Sequence, residues 1–143
     1  MHVIQRVLRD WCLQRVEVNQ GASPEDLHRL EQMLAMPLPE DIRLYFILAD
    51  GMTDGEADAH QLSFWSIDKI LREREDMARA HYPLDPRDIA IADVLINSWF
   101  LFLRRESTGI VRVFVQGANL ELTSLTDFFD RYRKDPGSLC LCP

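Results

Sequence analysis

The stretch Asp50-Gly51-Met52-Thr53-Asp54-Gly55-Glu56-Ala57-Asp58 places four carboxylates within nine residues, a spacing that raises the question of a calcium site. In a calcium loop Asp50 takes the first position, Asp54 the fifth, Gly55 the turn at the sixth and Asp58 the ninth. Met52 then occupies the third position, where an oxygen ligand belongs, and Gln61 the twelfth, where a bidentate Glu belongs. Two ligands are missing. The stretch reads instead as an acidic turn or a loop for a protein partner, and no metal is expected.

Other reactive residue types are scattered. His2, His28, His60 and His81 form no His-x-x-x-His pair and stand near no cysteine at ligand spacing. The chain has no Gly-x-Ser-x-Gly elbow, no phosphate loop ending in Gly-Lys-Ser/Thr and no dinucleotide fingerprint. Ser63, Ser66 and Ser107 lie in no nucleophile motif. The expectation is therefore a protein that is not an enzyme and needs no cofactor. A small enzyme with a spatially assembled acid–base site stays open as another class, since triad members need not be neighbours in sequence.

Three cysteines make no disulfide framework. Cys12, beside Trp11 in a helical pattern, is expected to be a buried free thiol. Cys140 and Cys142 stand in a terminal Cys-Leu-Cys-Pro. This mimics a prenylation box only in the placing of Cys140, and it lacks further ligands for a metal.

Charge is unevenly spread along the 143 residues, whose net charge is −7. Residues 1–22 carry +1, residues 23–61 carry nine acids against Arg29 and Arg43 for −7, and residues 62–143 carry −1. Such a field repels nucleic acid and attracts basic partners, although charged helix faces also serve simply to be solvated. Trp65, Trp99, Phe100, Phe102 and Phe114 could stack nucleotides. Only Arg104, Arg105 and Arg112 are interleaved with them, and the alternation favours core packing. The longest apolar stretch near the hairpin, Trp99 to Leu103, is strand-sized, and Met1 to Arg6 does not read as a signal peptide. The expected location is cytoplasmic, away from any membrane.

These residues must be positioned by short elements. Val3 to Val18 reads as an amphipathic helix with Ile4, Val7, Leu8 and Trp11 on its stripe. Ser23 caps a second helix with Pro24 in its first turn and Leu27, Leu30, Met33 and Leu34 on one face. A third starts at Pro39, buries Ile42, Tyr45, Phe46 and Ala49, and ends where Gly51 can turn left-handed. Leu62 to Ile67 is a strand candidate, followed by a short helix capped by Asp68 and running through Asp76 or a little beyond. Ile89 to Val94, Ser98 to Arg104, the Val111-Val113-Val115 alternation and Leu120–Leu122 read as strands. The second of these is apolar on both faces and so central in its sheet. Ser124 opens a last helix with Leu125, Phe128, Phe129 and Tyr132 inward. Helices first, strands in the middle and a helix last make an α+β fold.

Glu31 in the second helix, then Leu38-Pro39-Glu40-Asp41-Ile42-Arg43, then Asp50-Gly51 about a helix later, resemble the opening signature of the SUKH superfamily. These are domains like the fungal Smi/Knr-type regulators of cell-wall synthesis. The strand holding Phe64-Trp65-Ser66-Ile67, the hydrophobic hairpin and the closing helix around Leu125-Thr126-Asp127-Phe128-Phe129 look similar too. The resemblance spans residues 22–135. It implies one SUKH-like domain over 1–143, with N-terminal helices packed on a mainly antiparallel sheet and a C-terminal helix. It also implies that Leu38, Pro39 and Gly51 define the fold and that Trp65 matches a strand aromatic of the family. The Met52–Gln61 loop has no counterpart in that pattern.

Bacterial members of the superfamily serve as immunity proteins that neutralise a cognate secreted toxin, many such toxins being nucleases. The resemblance thus implies a non-enzymatic protein-binding domain whose partner is a basic toxin domain. An acidic blocker suits a basic substrate groove. Asp50, Asp54, Glu56 and Asp58 are the expected contact residues, chosen on charge and on a shared exposed loop rather than on the resemblance. The alternative binding role is a regulatory scaffold of the cell-wall regulator type. No nucleic acid partner is expected.

Overall fold

Alternating apolar residues after Gln61 build the sheet. In the computed structural model, which describes residues 1–141, five strands form an antiparallel meander in chain order. They are β1 (Leu62–Phe64), β2 (Asp88–Val94), β3 (Trp99–Arg105), β4 (Val111–Val115) and β5 (Leu120–Leu122). The third strand is central, as its two apolar faces predict. Leu101 pairs with Val115, Leu103 with Val113, and Val113 with Leu122, so these buried side chains share one face. Phe100, Phe102 and Phe114 take the other. A bulge between Ala90 and Ala92 shifts the register of β2 on β3.

Helices α1 (Val3–Leu13), α2 (Pro24–Leu34), α3 (Glu40–Leu48), α4 (Ile67–Arg79) and α5 (Leu125–Lys134) complete the fold, followed by a short 3-10 turn over Pro136–Leu139. The α+β order read from the sequence is the observed one. Three helix boundaries differ from expectation. First, α1 stops at Leu13 rather than Val18. Arg15 turns left-handed at φ 62°, and the β-branched segment beyond it runs extended, with Val18 bridging Met52 and the Asn19 amide donating to the Gly51 carbonyl. Next, α3 ends at Leu48 and passes through an extended Ala49, so Gly51 is not its cap. Then β1 ends at Phe64, and Ser66, not Asp68, caps α4 by accepting from the Lys69 amide at 3.1 Å. The far end of α4, at Arg79, lies a little beyond Asp76, as expected.

One core joins the layers. Trp11, Tyr45, Phe64 and Phe129 meet with ring centroids 5.3–6.5 Å apart, bringing α1, α3, β1 and α5 together. α5 also packs on β4 and β5, while α4 packs on β2 and α2. Trp65 turns to the other sheet face, where its ring meets Phe100 edge-on at 5.9 Å. The aromatic residues weighed for stacking are mainly core: Trp65, Phe100 and Phe102 are buried, and Trp99 and Phe114 are half-buried. Cys12 is exposed, correcting the expectation of a buried thiol. It follows Trp11 by one position and so leaves the buried Ile4-Val7-Trp11 stripe. Cys140 is exposed as well, whereas Cys142 lies outside the described residues.

Candidate functional site

Several acids of residues 23–61 bind backbone amides and join elements. Glu31, on α2, accepts from the Leu38 amide and from the Arg43 guanidinium, both at 2.7 Å. The Leu38 amide, then burial opposing it, then Arg43, set its pKa, which lies below the usual carboxylate range. Leu38 is buried and Pro39 precedes the first turn of α3. Asp41 accepts from the amide and hydroxyl of Thr126 at 2.8 and 3.0 Å, tying the starts of α3 and α5. His2, which sequence reasoning passed over, caps α1 by accepting from the Ile4 amide at 3.1 Å. A His-x-x-Gln capping box at residues 2–5 was the available signal.

The loop after Gly51 lies along the outer edge of β1. The Met52 amide donates to the Phe64 carbonyl, the Asp58 amide to the Leu62 carbonyl, and the Thr53 amide to the Glu17 carbonyl, at 2.8–3.0 Å. Gly51 sits at φ 71°, and a Cβ there would collide with the backbone of Trp65 and Ser66. That close approach is why the fold needs glycine at this place.

The four expected contact acids do not share one exposed surface. Asp58 is only 3% exposed, which corrects the premise on which it was chosen. One of its oxygens accepts from the Tyr132 hydroxyl at 2.6 Å and the Trp11 indole at 3.0 Å. The other accepts from the amides of His60 and Leu62 at 2.8 and 3.1 Å. It is a buried knot between α1, the loop and α5, and it pushes up the pKa of the Tyr132 phenol, already raised chiefly by burial. Asp50 is half-buried and accepts from the Ile67 amide at the start of α4 at 2.8 Å. Burial raises its pKa, the Ile67 amide works against that, and the charges of Asp26 and Asp68 add to it. Glu56 is half-buried and accepts from the Glu17 amide at 3.1 Å. Asp54 is the one of the four whose side chain stands largely in water, 3.8 Å from both Lys69 and Arg72.

Beside Glu56 lies a recess of about 150 Å3 lined by Gly55, Glu56, Lys69, Asp93, Ile96 and Asn97, among others. Its far wall is the β2–β3 turn, which the sequence reading passed over. Among the described residues no group of three or more His, Cys, Asp or Glu is placed to hold a metal ion. Nor, among the described residues, is any helix long and apolar enough to cross a membrane.

An antiparallel meander with helices joined through Glu31, Asp41, Asp50 and Asp58 defines a helix-and-sheet α+β domain. The family model described as SMI1 / KNR4 family (SUKH-1) matches residues 21–132, and the chain belongs to that family. Among curated proteins, none matches the chain.

Proposed function

We propose that this chain is a non-catalytic protein-binding domain that acts as an immunity protein, neutralising a cognate basic toxin domain. The observation that carries this is the placing of the net charge. The whole −7 of the chain is matched by that of residues 23–61. Glu56 presents part of it in a recess shared with an exposed apolar side chain, Ile96, and Asp54, next to Gly55 of that recess, stands in water. Membership of the SUKH-1 family supports a protein-interacting role. A toxin acting on nucleic acid needs a basic groove, and a carboxylate surface complements it. Asp58 has no place in that contact, being buried among Trp11 and Tyr132.

Affinity capture from the producing cell tests this, comparing the wild-type chain with Asp54→Lys/Glu56→Lys. The expected result is one basic protein domain, retained at least about tenfold better by wild type. Expressed alone it stops growth, and expressed with this chain it does not. A captured domain that is harmless on its own overturns the toxin reading. Several unrelated proteins held equally by both forms favour the scaffold role.

A further inference from the structure

The β2–β3 turn presents apolar surface to water in a conformation its own residues resist. Ile96 is 89% exposed and Leu95 47%. Leu95, Ile96 and Asn97 are all left-handed, at φ 53°, 53° and 62°. Asn tolerates this region, whereas a β-branched side chain is driven from it by contact with its own backbone. The turn is held from beneath. Buried Asp93 accepts from the Asn97 amide at 2.8 Å and from the Trp65 indole at 2.7 Å. The Leu95 amide donates to the Gln61 carbonyl at 3.1 Å, and the Ser98 hydroxyl to the Leu95 carbonyl at 2.7 Å. An aliphatic tip is thus fixed in water by a buried carboxylate and a buried indole.

A second apolar surface lies beside the tip and meets it at Asn97. A groove of about 330 Å3 opens between the turn and the last half of α4, with Met77, Tyr82 and Phe100 in its walls and Glu73 and Asp76 at its rim. Tyr82 stands edge-on to Phe100 at 5.7 Å. Asp76 has Arg79 at 3.7 Å, while Glu73 has no ion-pair partner among the described residues. Asn97 lines both this groove and the recess beside Glu56. The tip therefore stands between two hollows, the recess with Glu56 and Lys69 in its lining and the groove with Glu73 and Asp76.

We propose that the Leu95–Asn97 tip and the Met77-Tyr82-Phe100 groove form the docking surface, and that its occupant is a basic polypeptide segment with aliphatic side chains set between lysines or arginines. The apolar tip and groove supply the contact, and Glu73, Asp76 and Glu56 select a positively charged flank. This rests on the protein-binding reading above and names its surface. The anchor lies outside the acidic loop, which becomes part of the border.

Two synthetic peptides of equal length and charge test it, one Lys/Leu and amphipathic, the other Lys/Ser, each titrated into the isotope-labelled chain and followed by amide NMR. The Lys/Leu peptide is expected to shift Leu95–Asn97, Met77 and Tyr82 and to bind at least about tenfold more tightly than Lys/Ser. Ile96→Gly and Glu73→Lys should each weaken it about tenfold, with Ile96→Gly melting no lower than wild type. Equal binding of both peptides, shifts centred on residues 50–58, or no binding overturns the proposal. Binding at the tip with no toxin captured from the cell leaves the surface standing and removes the toxin reading. A captured toxin held as tightly by Ile96→Gly as by wild type does the reverse.

Discussion

Tyr45 and Tyr132 are both buried, yet their hydroxyls have opposite surroundings. The Tyr132 hydroxyl donates to Asp58 at 2.6 Å, while the Tyr45 hydroxyl has no hydrogen-bond partner among the described residues. Removing a bonded hydroxyl takes a donor from its buried acceptor, whereas removing an unbonded one relieves a desolvation penalty. Tyr132→Phe should therefore lower stability by about 1–2 kcal/mol and Tyr45→Phe should leave it unchanged or raise it by up to about 1 kcal/mol, measured by urea unfolding. Asp50 supplies a pH test. Its folded-state pKa is raised, so the stability linked to its proton is present at low pH and lost as pH rises through the carboxylate range. Asn at this position keeps an acceptor for the Ile67 amide and cannot ionise. Asp50→Asn should thus equal or exceed wild type in melting temperature at neutral pH, the gain fading as pH falls through the carboxylate range and gone below about pH 4. Asp58 shows what a sequence hides at this scale. Its partners Trp11 and Tyr132 lie 47 and 74 residues away, and nothing in Gly-Glu-Ala-Asp-Ala-His distinguishes a buried acid from a solvated one.

Elements with a repeating apolar period were legible, because period 2 or 3.6 selects a face before any partner is known. The Val111-Val113-Val115 alternation and the Leu125-Phe128-Phe129-Tyr132 stripe bury the side chains expected of them. Ends were legible only where a local cap decides them, as Ser23 and Ser124 do. The end of α1 depends on a bridge from Val18 to Met52, which no local rule contains. The β2–β3 turn was likewise silent, since Leu95-Ile96 is not a pair that turn chemistry favours. Glycine fits a left-handed position without that steric penalty, so Ile96→Gly is expected to raise stability by about 1 kcal/mol in thermal unfolding. At Gly51 the sign reverses. Gly51→Ala meets the Trp65 and Ser66 backbone at a left-handed φ and should cost about 3 kcal/mol in the same measurement.

For the whole molecule, charge and shape divide the work differently from the way the sequence suggests. Residues 23–61 carry the net acidity, but Glu31, Asp41, Asp50 and Asp58 each hold backbone amides in place. Their charge reaches a partner as a field, with little direct contact. Long-range attraction of that kind governs encounter more than residence. The family was legible because Leu38-Pro39 and then Gly51 form a short motif along the chain, whereas the surface proposed for a partner is assembled from α4, the β2–β3 turn and β3 and follows no local pattern. The loop from Met52 to Asp58 has a consequence of another kind. It occupies the outer side of β1, while β5 ends the sheet at the opposite side. Among the described residues only the β5 margin remains for a strand from another copy to join. Two molecules pairing through β5 would use up the free margin of each at once, so growth of the sheet by that edge would end at a pair.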